Sequence, residues 1–269
     1  LTFEKTKRIK DCHKNKTLYT GTAIRKEILS LFKNEYRLPQ EIKPAVRRTM
    51  GYKGLILASE FDEIAEDAVQ KREMLNILII GGSGGSEIFS KVLPKALFNL
   101  NEEFKNNIQI YQQCRKELSE ETFDIYEKFN MNVEIDSFFQ DMESMINKSH
   151  LIISRAGSTS IHEFLIAKRP MILVPFAKSA DRHQLENAKI FAENNSAILI
   201  EEKDFTIKNV SATITRILSK DRELLNMSQN CEKYAKNNLK GTLKLAALAN
   251  DWDRAKIHYW KEIKAEKAG

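Results

Sequence analysis

The middle of the chain alternates short apolar runs with longer segments whose apolar positions recur at helical spacing. The six runs of strand length are LNILII (75–80), IQIYQ (108–112), NVEI (132–135), LIIS (151–154), MILVPF (171–176) and AILIEE (197–202). Largely continuous apolar runs are typical of parallel strands that are buried on both faces. Because helical segments separate the runs, the pattern predicts a doubly wound α/β fold with a parallel sheet. Ligands bind such sheets at the carboxyl ends of the strands.

The two ends of the chain follow other patterns, which divide it into three parts. Residues 1–72 contain a helical segment, IRKEILSLF (24–32), and then a stretch with two prolines, NEYRLPQEIKP (34–44), that is typical of a linker. We interpret residues 1–72 as the end of a preceding domain plus a connector. Residues 73–250 are predicted to form the α/β domain with extra C-terminal helices, and residues 251–269 a helical tail.

The predicted tail carries Trp252, Tyr259, Trp260 and Ile263 near one helix face. A helix of this kind packs on the protein body or, as the alternative, lies on a membrane surface as a basic amphipathic helix. We favour packing, because both tryptophans can equally cover a neighbouring domain.

Composition narrows the class of protein. Hydrophobic residues make up 42% of the 269 positions and charged residues 30%, which is ordinary for a soluble globular protein. No apolar run approaches the ~20 residues that span a bilayer, and the first residues have no signal-peptide core. The three scattered cysteines argue against a disulfide framework or a zinc site and favour a reducing cytoplasm. The net charge of +6 is spread among interleaved acidic residues, so we expect no nucleic-acid partner, although weak attraction to anionic membrane or phosphate is compatible.

A glycine-rich turn follows the first predicted strand, in IIGGSGGSEIF (79–89). Its glycines permit close approach of the backbone to a ligand, and the helix that follows favours phosphate at its N-terminus. The spacing matches neither the Walker pattern nor the usual GxGxxG, so the turn alone is weak evidence of function.

A carboxylate, Glu163, follows the turn after the fourth predicted strand, in SRAGSTSIHEF (154–164). Ser160 and Glu163 fit the spacing of a capping box, in which the Glu side chain reaches back to the backbone N–H of the cap. The alternative is that Glu163 binds a ligand, because a helix N-terminus after a glycine turn attracts anions and exposes free N–H groups.

Hydrogen-bonding side chains crowd the end of the fifth predicted strand, in VPFAKSADRHQLENA (174–188). Asp181, His183, Gln184 and Asn187 suit a polyhydroxylated ligand, although Asp181 also fits a helix N-cap and His183 a surface position. The sequence has no HExxH, no GxSxG and no paired carboxylates, which argues against metal, serine or glycosidase chemistry.

Four motifs together give a resemblance that covers residues 1 to about 250. YTGTAIR (19–25), IGGSGGS (80–86), SRAGSTSIHE (154–163) and VPFAKSADRHQLENA (174–188) occur in an order and spacing that resemble the MurG family, which belongs to glycosyltransferase family 28. The resemblance implies the C-terminal, Rossmann-like half of a GT-B fold that binds UDP-N-acetylglucosamine. It also implies inverting transfer of N-acetylglucosamine to the C4 hydroxyl of an undecaprenyl-linked muramyl-pentapeptide, without a metal or cofactor.

The resemblance further implies a role in peptidoglycan synthesis, and thus in cell shape and division, at the cytoplasmic face of the plasma membrane. Association with the membrane is expected to be peripheral and weak for this chain. The general base is expected in an N-terminal domain that this sequence does not supply, so a separate N-terminal half is an expected partner.

Carried over residue by residue, the resemblance assigns most donor contacts to the loops described above. Glu163 would bind the ribose hydroxyls, and Arg25 and Ser83 would face the diphosphate. His183 and Gln184 would bind sugar hydroxyls.

Further donor contacts are implied by the same resemblance. Phe138 would lie against the uracil, the backbone of Phe139 would read its edge, and Met142 would pack nearby. The start of the helix after the fourth strand would bring backbone N–H groups to the donor sugar, and its implied binding residues are Gly157, Ser158, Thr159 and Ser160.

The chain departs from the family pattern at several positions. Gly84 and His183 stand where Gln is usual, and Thr22 and Ala23 replace Asn and Pro. The segment between Arg25 and the glycine turn is longer than in the family, which indicates an insertion around residues 45–70.

Three alternatives remain open. The first is a donor-binding subunit or truncated remnant that is inactive without a separate N-terminal domain. The second is a GT-B-like epimerase, which needs catalytic carboxylates that we do not find. The third is a degenerate remnant without a ligand, supported only by Gly84 and the altered TGTAIR.

Overall fold

The computed structural model describes residues 24–39, 74–82, 85–177, 179, 183–220 and 222–250, the side chains of Lys26 and of residues 237–250 excepted. The expected insertion around residues 45–70 and the predicted tail with its two tryptophans therefore lie outside the described residues. The same is true of Ser83, Gly84 and Asp181.

Within the described residues, one sheet of six parallel strands has the order β3-β2-β1-β4-β5-β6. The strands are β1 (Leu75–Ile80), β2 (Ile108–Gln113), β3 (Asn132–Asp136), β4 (Leu151–Ser154), β5 (Met171–Leu173) and β6 (Ala197–Leu199). The predicted doubly wound parallel α/β fold is thus confirmed. β1 and β4 are neighbours, and the strand order reverses between them, which makes this the switch point at which such sheets bind ligands.

The helices cover both faces of the sheet. They are α1 (Lys26–Ser30), α2 (Glu87–Phe98), α3 (Glu102–Lys105), α4 (Lys116–Lys128), α5 (Met142–Lys148), α6 (Ser158–Ile166), α7 (His183–Glu193), α8 (Ile207–Ser219) and α9 (Glu223–Asn250). Two short 3-10 turns, Leu31–Lys33 and Glu202–Asp204, follow α1 and β6. Among the described helices, none combines the length and the apolarity that a membrane crossing needs.

Each strand contributes to two core layers, because successive side chains of a strand point to opposite faces. In β1, Ile77 and Ile79 pack in the layer formed with α2, α3, α4 and α8. Leu78 and Ile80 pack in the layer formed with α1, α5, α6 and α7, and α9 crosses from the first layer to the second. Strands between two helical layers must be apolar on both faces, which explains the continuous runs in the sequence.

Residues 24–39, which we call the strap, pack along the second layer and reach the opposite edge of the sheet. Ile28 and Leu31 are buried in the second layer. Further along, the Tyr36 hydroxyl donates to the carbonyl of His150, just before β4, at 2.8 Å. In the proline-containing stretch that was interpreted as a linker, Tyr36, Leu38 and Pro39 are packed on the domain, whereas Asn34, Glu35 and Arg37 are exposed.

Candidate functional site

The glycine turn after β1 is built so that no side chain fits at its start. A Cβ on Gly81 would lie 2.2 Å from the backbone nitrogen of Ser86. Gly82 and Gly85 have φ values of +87° and +66°, which L side chains rarely adopt, and the Gly85 N–H donates to the Gly82 carbonyl at 3.0 Å. The turn therefore folds back tightly and leads directly into α2. That its backbone approaches a ligand stays a prediction.

The helix after β4 begins immediately after Gly157. Ser158, Thr159 and Ser160 form its first turn, where backbone N–H groups have no partner within the helix. Glu163 is the sixth helical residue, not the third that a capping box requires. The capping-box interpretation of Ser160 and Glu163 is therefore wrong, and the N-terminal N–H groups of α6 remain available at the carboxyl end of β4.

Glu163 is paired instead with an arginine from the strap. The Nε and one terminal nitrogen of Arg25 donate to the two carboxylate oxygens at 2.7 and 2.8 Å. Glu163 is only 5% exposed, whereas the Arg25 side chain is 53% exposed. The hydrogen bond to Glu163 raises the pKa of Arg25. Sequence analysis placed both residues near the donor but did not predict that they bind each other.

Gln184, at the start of α7, holds two loops with one atom. Its Oε1 accepts from the backbone N–H of Ala156 at 3.2 Å and from that of Phe176 at 3.0 Å. Asn187, one turn later, donates its amide to the Ala156 carbonyl at 3.2 Å. Because both lone pairs of the Gln184 oxygen are used, this side chain can only donate to a further ligand, through Nε2. The neighbouring His183 is exposed.

Arg155, directly after β4, was not assigned to the site from the sequence. Its guanidinium donates to Ser86 and to Glu202, each at 2.9 Å, and more weakly to the carbonyls of Val174 and Pro175. The sequence signal for Arg155 was its place in the motif SRAGSTSIHE (154–163), which gave it no role of its own. Glu202 had no signal at all.

A cleft of about 610 Å³ opens between these loops at the carboxyl edge of the sheet. The glycine turn, the start of α2, Arg155, Phe176, Gln184 and Glu202 line it. Phe176 is 42% exposed. The cleft thus brings together the turns after β1, β4, β5 and β6, as expected for the ligand edge of a doubly wound sheet.

The turn between β3 and α5 carries three other predicted site residues. Phe138 is 60% exposed, and its N–H donates to the Asp136 side chain at 3.2 Å. The Phe139 side chain is buried in the second core layer, and Met142 packs against that layer at the start of α5. An exposed aromatic ring beside a buried anchor is a suitable platform for a planar base, although none of the three lines the cleft.

No cluster of three or more potential metal ligands occurs in the part of the chain that the structure describes. The polar groups of the site include guanidinium, ammonium, amide, hydroxyl and backbone N–H donors together with the carboxylates of Glu87, Glu163 and Glu202. Such a set binds phosphate and hydroxyl groups.

Comparison with known proteins gives a family for this arrangement. The family described as "Glycosyltransferase family 28 C-terminal domain" matches residues 76–243. The chain is 32% identical over 190 residues to the UDP-N-acetylglucosamine--N-acetylmuramyl-(pentapeptide) pyrophosphoryl-undecaprenol N-acetylglucosamine transferase of Wolbachia pipientis subsp. Culex pipiens (strain wPip), covering 71% of this chain and 56% of the relative. The protein of the same name from Caulobacter vibrioides (strain NA1000 / CB15N) is 34% identical over 164 residues, which are 61% of this chain and 45% of the relative. The chain thus spans about half the length of the curated relatives it matches.

Solved structures of glycosyltransferases share the fold of this chain. The crystal structure of Acinetobacter baumannii MurG superposes with a TM-score of 0.55 at 29% sequence identity, covering 64% of this chain and 48% of that chain. WaaG, a glycosyltransferase involved in lipopolysaccharide biosynthesis, shares the fold with a TM-score of 0.51 at 17% identity, covering 72% of this chain and 51% of that chain. The chain belongs to glycosyltransferase family 28, and residues 76–243 are its C-terminal domain.

Proposed function

We propose that this chain binds UDP-N-acetylglucosamine and serves as the donor half of a transferase that glycosylates an undecaprenyl-linked muramyl-pentapeptide in peptidoglycan synthesis. The observation that carries the proposal is the buried carboxylate of Glu163 beside the switch point of the sheet, in a chain of family 28. The relatives named above support the substrates, because their names state this donor and this acceptor.

Glu163 fits the nucleoside end of the donor. A carboxylate has two oxygens and can accept from both hydroxyls of a vicinal diol, which the ribose supplies. Exposed Phe138 offers a ring face for the uracil, with the backbone of Phe139 and the side chain of Met142 next to it. We propose these contacts as the nucleoside subsite.

The sugar and diphosphate end fits the cleft. Backbone N–H groups at the start of α6 and in the glycine turn can donate to phosphate and sugar oxygens, and we assign Ser83 of the glycine-rich sequence to the diphosphate. Gln184 contributes its Nε2 donor, and His183 stands beside it on α7. Thr159 and Ser160 complete the first turn of α6.

The proposed reaction is an inverting displacement without a metal. The C4 hydroxyl of the muramyl sugar attacks the anomeric carbon, the bond from that carbon to the diphosphate breaks, and negative charge develops on UDP. Preorganised N–H donors, the positive end of α6 and Arg25 would stabilise this charge. The proton of the attacking hydroxyl goes to a base, which we place in the acceptor-binding half outside the matched residues.

We place the reaction at the cytoplasmic face of the membrane, where a lipid-linked acceptor is held, with this chain associated peripherally. A second arrangement has the chain as a donor-binding subunit that is inactive until a separate N-terminal half docks. In this arrangement the present chain holds the donor, and the docked half supplies the acceptor site and the base.

Calorimetric titration of the full chain with UDP-N-acetylglucosamine tests the proposal, with UDP-glucose as the control ligand. We expect saturable binding that prefers the N-acetyl sugar. A folded chain that binds neither nucleotide sugar would overturn the donor assignment.

A transfer assay distinguishes the two arrangements. Labelled donor and lipid-linked acceptor are incubated with the chain alone and with the chain plus the N-terminal half of the Caulobacter relative. Product in the first mixture supports an enzyme complete in itself, whereas product in only the second supports the subunit arrangement.

A further inference from the structure

We infer that Glu202 and Arg155 form a positioning pair that fixes the sugar and diphosphate end of the cleft while leaving the nucleoside end unaffected. The inference deepens the proposed function and rests on it. Neither residue is assigned a direct contact with the donor. Their role is to hold the backbone groups and side chains that line the cleft.

Arg155 connects the turns after three neighbouring strands. From its own position after β4, it donates to Ser86 in the glycine turn at 2.9 Å, and to the carbonyls of Val174 at 3.3 Å and Pro175 at 3.4 Å after β5. The carbon of its guanidinium also lies 5.2 Å from the centres of two aromatic rings, those of Phe89 and Phe176. The guanidinium therefore has favourable contacts with two aromatic rings in addition to its hydrogen bonds, and these contacts restrain its position.

Glu202 supplies the matching negative charge and a fourth loop. It lies in the 3-10 turn after β6, and its Oε1 accepts from Arg155 at 2.9 Å. Its Oε2 accepts from the backbone N–H of Ala177 at 2.8 Å. The Arg155 side chain is only 11% exposed, so removal of its counter-charge leaves a poorly solvated cation next to the cleft.

The turn after β5 is consequently held at two successive N–H groups. Glu202 accepts from Ala177, and Gln184 accepts from Phe176 and also from Ala156. These hydrogen bonds fix the position of the Phe176 ring and of the Gln184 amide donor, and both residues line the cleft. Loss of Glu202 should release the turn and, through Arg155, the glycine turn as well.

The nucleoside end is built from different contacts. Glu163 is held by Arg25 from the strap, and Phe138 is anchored through Asp136. Within the described part of the chain, the hydrogen bonds of Arg155 and Glu202 go to the glycine turn, to the turn after β5 and to each other, and not to the nucleoside end. A positioning role therefore predicts a loss of affinity that depends on which part of the donor is present.

The test compares two ligands, UDP-N-acetylglucosamine and UMP, by calorimetry on the full chain. For Glu202→Ala we expect at least a tenfold loss of affinity for UDP-N-acetylglucosamine and less than a twofold change for UMP. Glu202→Gln, which keeps one acceptor oxygen, should give an intermediate loss. Glu201→Ala is the matched control, because the ion pair of its carboxylate among the described residues is with the exposed Lys203, at 3.5 Å, and the affinity for neither ligand should change.

Hydrogen exchange gives a second readout that needs no ligand. In Glu202→Ala, the backbone amides of Val174, Phe176 and Ala177 should exchange faster than in the wild-type chain, whereas the amides of α8 should exchange at the wild-type rate. Equal losses for both ligands would indicate general destabilisation and overturn the inference, as would unchanged affinities or unchanged exchange. A wild-type chain that binds UMP but not the sugar nucleotide would overturn the proposed function, whereas normal wild-type binding with an unaffected variant would overturn only the positioning pair.

Discussion

At the scale of single residues, Glu163 has one partner in the structure, Arg25, and one proposed partner, the ribose of the donor. Its carboxylate is nearly buried, and both of its oxygens are engaged by Arg25. A carboxylate oxygen accepts more than one hydrogen bond, so Glu163 can accept from a ligand while it remains paired with Arg25. The proposed ribose diol therefore meets a carboxylate that is already oriented by its arginine partner.

The first prediction concerns this carboxylate. Glu163→Ala should weaken binding of UDP-N-acetylglucosamine by about 1–3 kcal/mol, because the diol loses its charged acceptor. Calorimetric titration measures the change, and Glu127→Ala, an exposed acid on α4, should bind normally. An unchanged affinity together with a lower melting temperature would limit Glu163 to a structural role as the partner of Arg25.

His150 provides a prediction about pH. Burial, and then the nearby charge of Arg169, lower the pKa of His150 to about 4 from its ordinary 6.5. Its Nδ1 accepts from the backbone N–H of Asn76 at 2.8 Å, which requires the neutral ring. Because the unfolded chain binds this proton at higher pH, the contribution to stability is complete above pH 6.5 and is lost as pH falls toward 4.

We expect His150 to account for about 3 kcal/mol of stability lost across that window. Urea unfolding at pH 7 and pH 4.5 measures it, with His150→Asn as the comparison, since an amide oxygen can replace the acceptor without titrating. Equal losses in both proteins would assign the effect to other groups, such as His162, whose pKa burial also lowers.

Sequence reasoning reached the site residues that stand in recognisable loops and missed those defined by distant partners. Glu163 and Gln184 were found because they follow apolar strands. The pairing of Arg25 with Glu163 spans 138 positions, and that of Arg155 with Glu202 spans 47, so neither leaves a local pattern. The capping-box spacing of Ser160 and Glu163 was a coincidence of composition, because Gly157 begins the helix.

At the scale of elements, the apolar runs predicted the first four strands closely and the ends of the last two less well. The first four strands begin at the predicted residues and differ by at most one at their ends. β5 ends at Leu173 instead of residue 176, because Pro175 has no N–H and the chain leaves toward the cleft. β6 ends at Leu199, before the acidic pair 201–202 that the run had included.

Helix α5 offers a prediction at this scale, because it carries Met142 and has a side-chain cap. The Asp141 carboxylate accepts from the backbone N–H of Ser144 at 2.9 Å. Asp141→Ala should lower the free energy of unfolding by about 1 kcal/mol, and Asp141→Asn should restore most of it. Denaturant unfolding measures both, and Asp124→Ala on the exposed face of α4 should have no effect. Equal losses in the Ala and Asn variants would contradict a capping role.

At the scale of the whole molecule, the folded unit extends beyond the residues that match the family. The matched residues begin at 76, yet the strap inserts Ile28 and Leu31 into the second core layer. Composition could not reveal this, because two prolines and several charges are as typical of a packed, irregular segment as of a linker. Whether a segment is docked depends on the surface it meets, which a single sequence does not show.

The last prediction tests the strap. Leu31→Ala should lower the free energy of unfolding by about 2–4 kcal/mol, because it opens a cavity at a residue that is 3% exposed. Leu29→Ala, at a half-buried position of the same segment, should cost clearly less. Urea unfolding of the full chain measures both. Equal small effects would show that the strap contributes little to the stability of the domain.

The course of the strap links two ends of the domain thermodynamically. It is tied to Glu163 near the ligand edge by Arg25 and to His150 at the opposite edge by Tyr36. Coupling between two binding events is reciprocal, so any factor by which strap attachment changes donor affinity equals the factor by which the donor changes strap attachment. We therefore expect occupancy of the proposed nucleoside subsite to change how firmly residues 24–39 are attached to the domain.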